Sequence, residues 1–267
     1  MLVYTMKLNQ DLERLTQSRL FNSSLKRGLD VLMAFDSQNP EMNLPDISKA
    51  AGITVSAAQR YAYTLEAMGF LQRDPKTKQY SLTPKIVELG YRYLHVNPLI
   101  EKANPFLQEL SRTTGETVNL SVPHGSGMVY IARFPTNLYA TVHMPVGCRL
   151  PMFCTASGRA FLSLLDKNTI EAILESEPLH KYTPTTVTNI QDLKDIIDAS
   201  KIKGYAVANA EYYRSDLNIA VAITNTYNQP IAALNISAPT ARWSLAQMEK
   251  ELLPHLINTG RHLSAGR

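Results

Sequence analysis

The chain has 267 residues, which is enough for two domains or one large domain. Its 45% apolar and 19% charged residues are ordinary for a globular protein and argue against a disordered or fibrous chain. The net charge is +4, and residues 1–95 contain 12 Lys and Arg against 9 Asp and Glu. This excess is too small to indicate nucleic-acid binding by itself.

Cysteine content and hydropathy exclude several other classes of protein. The two cysteines, Cys148 and Cys154, are too few for a disulfide framework or a zinc site. We therefore expect reduced thiols, a cytoplasmic location, and neither a metal nor a cofactor. The sequence has no apolar run of membrane-spanning length. Nor does it start with the basic and apolar segments of a secretory signal.

The first 22 residues form an N-terminal extension. Leu8, Leu12 and Leu15 have helical spacing, so the extension is expected to fray or to pack as a helix on a partner. Ser23 or Ser24 is then predicted to cap a helix, whose apolar face comprises Leu25, Leu29, Leu32 and Phe35.

The stretch from Leu44 to Leu82 predicts two helices and a hairpin. Gly52 suits the left-handed end of the first helix, and Ser56 is predicted to cap a second helix that ends before Gly69. A Pro-containing turn, Asp74 to Lys78, then separates two short strand-like runs. Helix, turn, helix and hairpin in this order indicate a winged helix-turn-helix, whose second helix enters a DNA major groove.

The predicted second helix has one apolar and one polar side. Ala58, Tyr61, Ala62, Leu65 and Met68 are expected to face the core. Arginine commonly contacts guanine and glutamine adenine, whereas lysines at a wing tip suit phosphate. The candidate DNA-binding residues are Thr54, Ser56, Ala57, Gln59, Arg60, Tyr63, Lys76 and Lys78. A small helical domain with a solvated charged turn is the alternative, because generic helical hairpins share much of this pattern.

The rest of the chain is expected to form a linker and an α+β domain. Thr83-Pro84 starts a linker helix that breaks at Asn97-Pro98, and a second helix to Thr114 is expected to be interrupted by Pro105. Predicted strands are Thr117–Val122, Met128–Ala132, Ala140–Met144, Tyr205–Ala208, Leu217–Thr224 and Ile231–Ser237. Predicted helices are Ala156–Leu165, Lys167–Glu175, Ile190–Lys201 and Ser244–Leu263. The hairpins among them favour a mostly antiparallel sheet.

Two features of the second domain suggest a small-molecule site. The small residues Thr155, Ala156, Ser157 and Gly158 open a helix, where free backbone N–H groups favour a carboxylate; plain helix capping would use the same residues. Asn218, Asn235 and Ser237 lie on the small or polar faces of two alternating strands. These residues line either a ligand cavity or a face of the sheet that is exposed to water. Met144, Leu150 and Met152 are candidates for the apolar walls.

Several blocks of the sequence resemble the IclR-type transcriptional regulators. They are SLKRGLDVLMAF (24–35), LPDISKAAGITVSAAQRYAYTLEAMGFLQRD (44–74), YSLTPKIVELG (80–90), GCRLPMFCTASGRAFLSLL (147–165) and QPIAALNISAP (229–239). The resemblance implies a GAF-like, effector-binding second domain, an oligomer whose N-terminal extension joins the dimer contact, and an acidic effector-site residue at Glu211. The sequence departs from the family at three positions. Ala57 stands where Thr is usual, Tyr61 stands where an aliphatic residue is usual, and Asn218 stands where Ser is frequent. These differences alter the expected operator and effector preferences.

The sequence therefore predicts an α+β regulator in four segments: an extension (1–22), a winged helix-turn-helix (23–83), a linker helix (84–98) and an effector-binding and oligomerisation domain (99–267). The expected partners are a double-stranded operator of a catabolic operon, a small organic acid, and a second copy or three further copies of the chain. Aromatic acids, keto acids and short carboxylates are all open as the effector. An enzyme is disfavoured, because no HExxH, GxSxG or Walker motif occurs and the six histidines are scattered. A ligand-binding module that docks proteins through its winged helix is the other alternative.

Overall fold

A computed structural model describes residues 15–136 and 144–264. These described residues fall into two compact units, an N-terminal unit that ends at Val96 and a C-terminal unit that begins at Asn97. Most of the N-terminal extension, including Leu8 and Leu12, lies outside the described residues, and so does most of the strand predicted at Ala140–Met144. Met144 itself is described and belongs to no strand.

The N-terminal unit is a winged helix-turn-helix, as predicted. Its elements are α1 (Ser23–Met33), β1 (Glu41–Met42), α2 (Leu44–Ala50), α3 (Val55–Ala67), β2 (Leu71–Arg73), β3 (Tyr80–Leu82) and α4 (Lys85–Val96). The three strands form an antiparallel sheet in the order β1-β3-β2, to which the short, unpredicted β1 adds an edge. Val31, Ile47, Ala58, Ala62 and Leu71 are at the centre of its apolar core.

Helix starts differ from the sequence-based expectation by one or two residues. Asn22, rather than Ser23 or Ser24, caps α1 by accepting from the amide of Leu25 at 3.0 Å. Thr54, rather than Ser56, caps α3 by accepting from the amide of Ala57 at 3.2 Å. Both helices begin earlier than expected. Asn and Thr can also cap a helix, and each of them precedes the expected serine by one or two residues.

The helix ends and the core of the helix-turn-helix can also be compared with the sequence-based expectation. Gly52 follows α2 in the predicted left-handed conformation, with φ of 62°. Gly69 follows α3, where the helix was expected to stop, and it is also left-handed, with φ of 76°. Met68, expected in the core, is 52% exposed, because the helix ends at Ala67 and leaves Met68 at its C-cap.

The C-terminal unit begins with α5 (Pro98–Thr114), which Asn97 caps. The expected interruption at Pro105 is wrong, because the helix continues through it. Proline removes one backbone hydrogen bond, but the helix buries Ile100, Ala103, Leu107 and Leu110 along one side. That apolar burial stabilises the helix on both sides of the proline.

The remaining elements form the predicted α+β architecture. The strands are β4 (Thr117–His124), β5 (Gly127–Phe134), β6 (Arg149–Pro151), β7 (Ala206–Asn209), β8 (Asp216–Thr224) and β9 (Pro230–Pro239). The helices are α6 (Ala156–Leu162), α7 (Lys167–Glu175), α8 (Ile190–Lys203), α9 (Leu245–Gln247) and α10 (Leu253–Leu263), with a π-helical turn, Met248–Leu252, between the last two. All pairings in the sheet, β6-β5-β4-β9-β8-β7, are antiparallel.

Helices cover both faces of this sheet at β8. On one face, Ala156 and Ala160 of α6 pack against Ala206, Ala208 and Ala220. On the other face, α10 approaches so closely that a Cβ on Gly260 would be 2.6 Å from a methyl carbon of Val221. The small and polar face of β8 is therefore covered by a helix, and the alternative of a water-exposed face does not hold.

Candidate functional site

The outward side of α3 carries the polar residues that the sequence singled out. Gln59, Arg60 and Tyr63 are exposed, and the tyrosine is 71% accessible. Ala57 is half-buried on the same helix. Because Ala58, Ala62 and Leu65 are buried, the helix has a fixed inner side and offers its other side to a partner.

The N-terminal end of α3 is also polar and accessible. Thr54 and Ser56 are exposed, with their hydroxyl oxygens 3.1 Å apart. Thr54 is occupied in capping, whereas Ser56 follows it in the first helical turn. A helix N-terminus carries a partial positive charge, so this end of α3 suits contact with a phosphate group.

The turn between β2 and β3 is held rigid by one carboxylate. Asp74 accepts hydrogen bonds from the amides of Lys76 at 2.7 Å and Thr77 at 2.8 Å. The hydrogen bonds from Thr77 and then Lys76 lower the pKa of Asp74. Lys78 has a left-handed φ of 65°, and both lysines are exposed. Two ammonium groups are thus presented at the tip of an ordered hairpin, an arrangement suited to a phosphate backbone.

The C-terminal unit contains a small cavity in front of α6. Its volume is about 20 Å³, roughly the space of one water molecule. Its polar lining comprises Thr155, Ser157, Glu211, Asp216, Asn218 and Asn235. Its other walls comprise Tyr130, Met144, Leu150, Cys154, Ala156, Ala208, Tyr212 and Tyr213. Two wider clefts of about 260 and 420 Å³ contain none of the predicted polar strand residues.

A chain of hydrogen bonds crosses from α6 to the sheet behind this cavity. The Ser157 hydroxyl donates to Asn235 Oδ1 at 3.2 Å, and Asn235 Nδ2 donates to Asn218 Oδ1 at 2.9 Å. Asn218 Nδ2 then donates to Asp216 Oδ2 at 2.7 Å. The Ser237 hydroxyl donates to the other carboxylate oxygen of Asp216 at 2.6 Å. Four predicted residues therefore belong to one connected group that ends on a carboxylate.

The carboxylate of Asp216 is the electrostatic centre of the group. Burial raises its pKa, while hydrogen bonds from Ser237 and Asn218 and the positive charge of Arg133 oppose the rise. Burial likewise raises the pKa of Tyr130 and brings that of Tyr212 to about 12, so both phenols stay neutral.

Glu211 lines the cavity, but its carboxylate is already paired. Arg159 Nη1 and Nη2 donate to its two oxygens at 2.5 and 2.6 Å, and the amide of Val187 donates to it at 3.3 Å. Arg159 also donates to the carbonyls of Phe153 and Val207. Glu211 is thus near the expected site, with its charge balanced by a buried arginine.

Two predicted residues have packing roles outside the cavity lining. A Cβ on Gly158 would be 2.2 Å from Met152 Cα, so glycine allows α6 to cross directly over the preceding segment. Met152 is fully buried in an apolar cluster with Phe161 and Leu174. Thr155 caps α6 by accepting from the amide of Gly158 at 3.2 Å, and it donates to the Pro151 carbonyl.

Asp216 and the tyrosines of the cavity wall were not among the predicted site residues. Asp216 precedes Asn218 by two residues, so extending the strand alternation by one step would have found it. Tyr212 and Tyr213 lie in the turn between β7 and β8, where no periodicity applies. Thr183 and Thr186 hold this turn by donating to the carbonyls of Ala210 at 2.7 Å and Glu211 at 2.6 Å.

One further donor on this sheet face has no acceptor among the described residues. Asn119 of β4 lies opposite Asn235 of β9 and opposite Arg133 of β5. Its Oδ1 accepts from Arg133 Nη1 at 2.9 Å, but its buried Nδ2 makes no hydrogen bond with the residues that the structure describes. In the same parts of the chain, every helix is too short or too polar to cross a lipid bilayer.

Comparison with known proteins matches both units to the same family. A model of the IclR helix-turn-helix domain matches residues 24–75, and a model of the C-terminal part of bacterial IclR transcriptional regulators matches residues 91–265. The Pca regulon regulatory protein of Pseudomonas putida is 33% identical over 91% of this chain and 83% of its own length. The transcriptional regulator XynR of Escherichia coli K12 is 31% identical over 84% of this chain and 89% of its own.

Solved structures agree with this match. A crystal structure from Rhodococcus sp. RHA1 superimposes with a TM-score of 0.77 at 34% identity, covering 91% of this chain and 97% of that one. The crystal structure of IclR from Thermotoga maritima gives a TM-score of 0.69 at 25% identity, covering 91% and 99%. The relatives are regulators, which confirms the expectation that this chain is not an enzyme.

Proposed function

Because the chain belongs to the IclR family of bacterial transcriptional regulators, with a DNA-binding and an effector-binding domain, we propose that it controls a catabolic operon in response to a small organic acid. The observation that supports the effector site most directly is the hydrogen-bonded chain from Ser157 to Asp216 bordering a cavity. Residues 23–83 are assigned to DNA binding, 84–98 to a linker and 99–267 to effector binding and oligomerisation. Since its target is the chromosome, the protein acts in the cytoplasm.

The proposed operator contacts follow from exposure and charge. Arg60 and Gln59 are exposed on α3, and in the proposed complex they contact base edges in the major groove. Thr54, Ser56, Ala57 and Tyr63 contact the groove walls or bases around them, and Lys76 and Lys78 of the wing contact phosphates.

An organic acid is favoured by the cavity and by the relatives. Asn218, Asn235 and the α6 N-terminus supply polar groups between tyrosine walls, a lining suited to a small ligand with a polar end. One relative, 28% identical over 82% of this chain, is the acetate operon repressor of Salmonella typhimurium. The cavity holds only about one water, so an effector enters by moving its walls.

A homodimer or homotetramer is proposed because two copies would match a pseudo-palindromic operator. The N-terminal unit exposes many large apolar side chains on two helices, and such surfaces mark interfaces. They are Leu25, Leu29 and Met33 of α1 and Val87, Leu89, Tyr91 and Val96 of α4. The extension, residues 1–22, is proposed to join this contact. Effector binding then shifts the relative pose of two DNA-binding domains by favouring one pose.

Gel shifts on the DNA upstream of the chain's own gene test the regulator assignment. We expect a specific complex that weakens as salt rises, because phosphate contacts release counterions. Lactate, pyruvate and aromatic acids, added in turn, are expected to raise the melting temperature and change operator affinity. A module that docks proteins instead would give no salt-dependent shift, and that result would remove the operator assignment.

A further inference from the structure

The amide orientations behind the cavity are set by Asp216. A carboxylate has no proton to donate, so it requires the NH₂ group of Asn218 to face it. The oxygen of Asn218 then faces Asn235 and must accept from its NH₂ group. The oxygen of Asn235 in turn faces Ser157 and must accept the hydroxyl proton. Each step follows from the one before, so the whole chain has one direction.

This direction determines what Ser157 can offer to a ligand. Its only proton is donated to Asn235, so its oxygen retains lone pairs alone toward the cavity. A carboxylate or keto oxygen placed against Ser157 would meet another acceptor, which leaves both oxygens desolvated without a hydrogen bond. A hydroxyl group placed there would donate to Ser157.

We propose that the cavity selects hydroxy acids over keto acids and over acids without an oxygen substituent, the ligand hydroxyl donating to Ser157 Oγ. This inference rests on the proposed effector function and names its chemical class. The direction requires an ionised Asp216. Two hydrogen bonds to its oxygens favour that form, while burial opposes it and raises the pKa of Asp216. A protonated Asp216 would reverse the chain and turn Ser157 into a donor.

The sheet face behind the cavity also carries a buried amide and a positive charge, both outside the cavity lining. Asn119 has a buried Nδ2 without an acceptor among the described residues, and it lies directly across from Asn235. Arg133, its neighbour on β5, adds positive charge to that face. The charge of Arg133 acts on Asp216, which does line the cavity, so it also favours an anionic ligand there.

Calorimetry on the full chain tests the inference with matched acids. Lactate, pyruvate and propionate differ only at one carbon, as do mandelate, benzoylformate and phenylacetate in the aromatic series. We expect the hydroxy acid of at least one series to bind about tenfold more tightly than both of its partners. In Ser157→Ala the preference is expected to fall to within about threefold, and Ser157→Thr is expected to restore it, because it keeps the oxygen.

Asp216→Asn provides the second variant, because an amide at 216 removes the requirement that fixes the direction of the chain. We expect weaker discrimination by this variant, with the fluorescence of Trp243 reporting an intact domain. Equal or tighter binding of the keto acid by the natural chain would overturn the hydroxyl preference and leave the effector function standing. Calorimetry in buffers of different ionisation enthalpy would show whether this binding is accompanied by proton uptake. Failure of all six acids to bind, with operator binding intact, would reject both the preference and the organic-acid effector.

Discussion

Arg159 of α6 and Glu211 of the β7–β8 turn form a bidentate ion pair inside the effector-binding domain, where Arg159 is only 2% exposed. Removing one partner of a buried pair leaves a charge without compensation. We therefore expect Arg159→Met to destabilise this domain by about 3–5 kcal/mol. Urea unfolding followed by fluorescence measures the change, since Trp243 is the single tryptophan of the chain.

Arg112→Met is the matched control for this experiment. Arg112 also bonds a glutamate through two nitrogen atoms, but both side chains are exposed. Its loss is expected to leave the free energy of unfolding nearly unchanged, because water and salt screen an exposed ion pair. Arg159→Met combined with Glu211→Leu should recover much of the stability, because no buried charge remains. Equal losses for the two single variants would contradict the structural role of the buried pair.

Gly158 is expected to tolerate no side chain. A Cβ there would overlap the backbone of Met152, which cannot move aside as a flexible side chain does. Gly158→Ala should destabilise the effector-binding domain by about 2 kcal/mol or more. Gly90→Ala in α4, where no atom lies within 4 Å of the added carbon, should be neutral or stabilise by up to about 1 kcal/mol. Thermal unfolding of both variants by circular dichroism decides between these outcomes.

Arg60 and Lys76 are expected to affect operator binding in different ways. Arg60→Ala should weaken operator binding by about 1–3 kcal/mol and relax sequence preference, because a base contact is lost. Lys76→Ala should weaken binding to all sequences alike and reduce the slope of affinity against salt by about one unit. Arg112→Ala, which removes the same charge from the other domain, is the control. An unchanged operator affinity in Arg60→Ala would exclude α3 as the recognition helix.

Asp216 makes the stability of the effector-binding domain depend on pH. Its pKa in the folded protein is raised above the ordinary 3.8 by burial, so folding favours the protonated form. The stability that protonated Asp216 adds is fully present below pH 3.8 and is lost as the pH rises through the folded-state pKa. Relative to Asp216→Asn, the natural chain should therefore become more stable as the pH falls. The groups that act on Asp216 are Arg133, Ser237 and Asn218, with Tyr130 and Tyr213 nearby.

The comparison of the natural chain with Asp166→Asn should show the opposite pH dependence. Relative to this variant, the natural chain should become less stable as the pH falls. Asp166 is exposed and caps α7, and hydrogen bonds from Thr169 lower its pKa. The stability that it adds is present above the ordinary pKa of 3.8 and is lost as the pH falls through the lowered folded-state value. If the stability differences of the two variants changed with pH in the same direction, burial would not be the factor that sets the pKa of Asp216.

The helix-turn-helix could be predicted closely because its signals are local. Gly52 and Gly69 lie at left-handed helix ends, and the apolar spacing of Ala58, Ala62 and Leu65 needs no knowledge of distant residues. The caps were misplaced by one or two residues, because several neighbouring side chains could serve equally well. Continuation of α5 through Pro105 also escaped prediction, since it depends on what that helix packs against.

By itself, the sequence determined the two-domain α+β organisation and placed Asn218, Asn235 and Ser237 on the polar faces of their strands, because periodicity is a property of the backbone. Only the tertiary structure decided that α6 covers that face and that the cavity has room for about one water molecule. It alone joined Arg159 to Glu211, 52 residues further along the chain. Contacts between such distant segments arise when the domain packs, and no spacing along the chain records them.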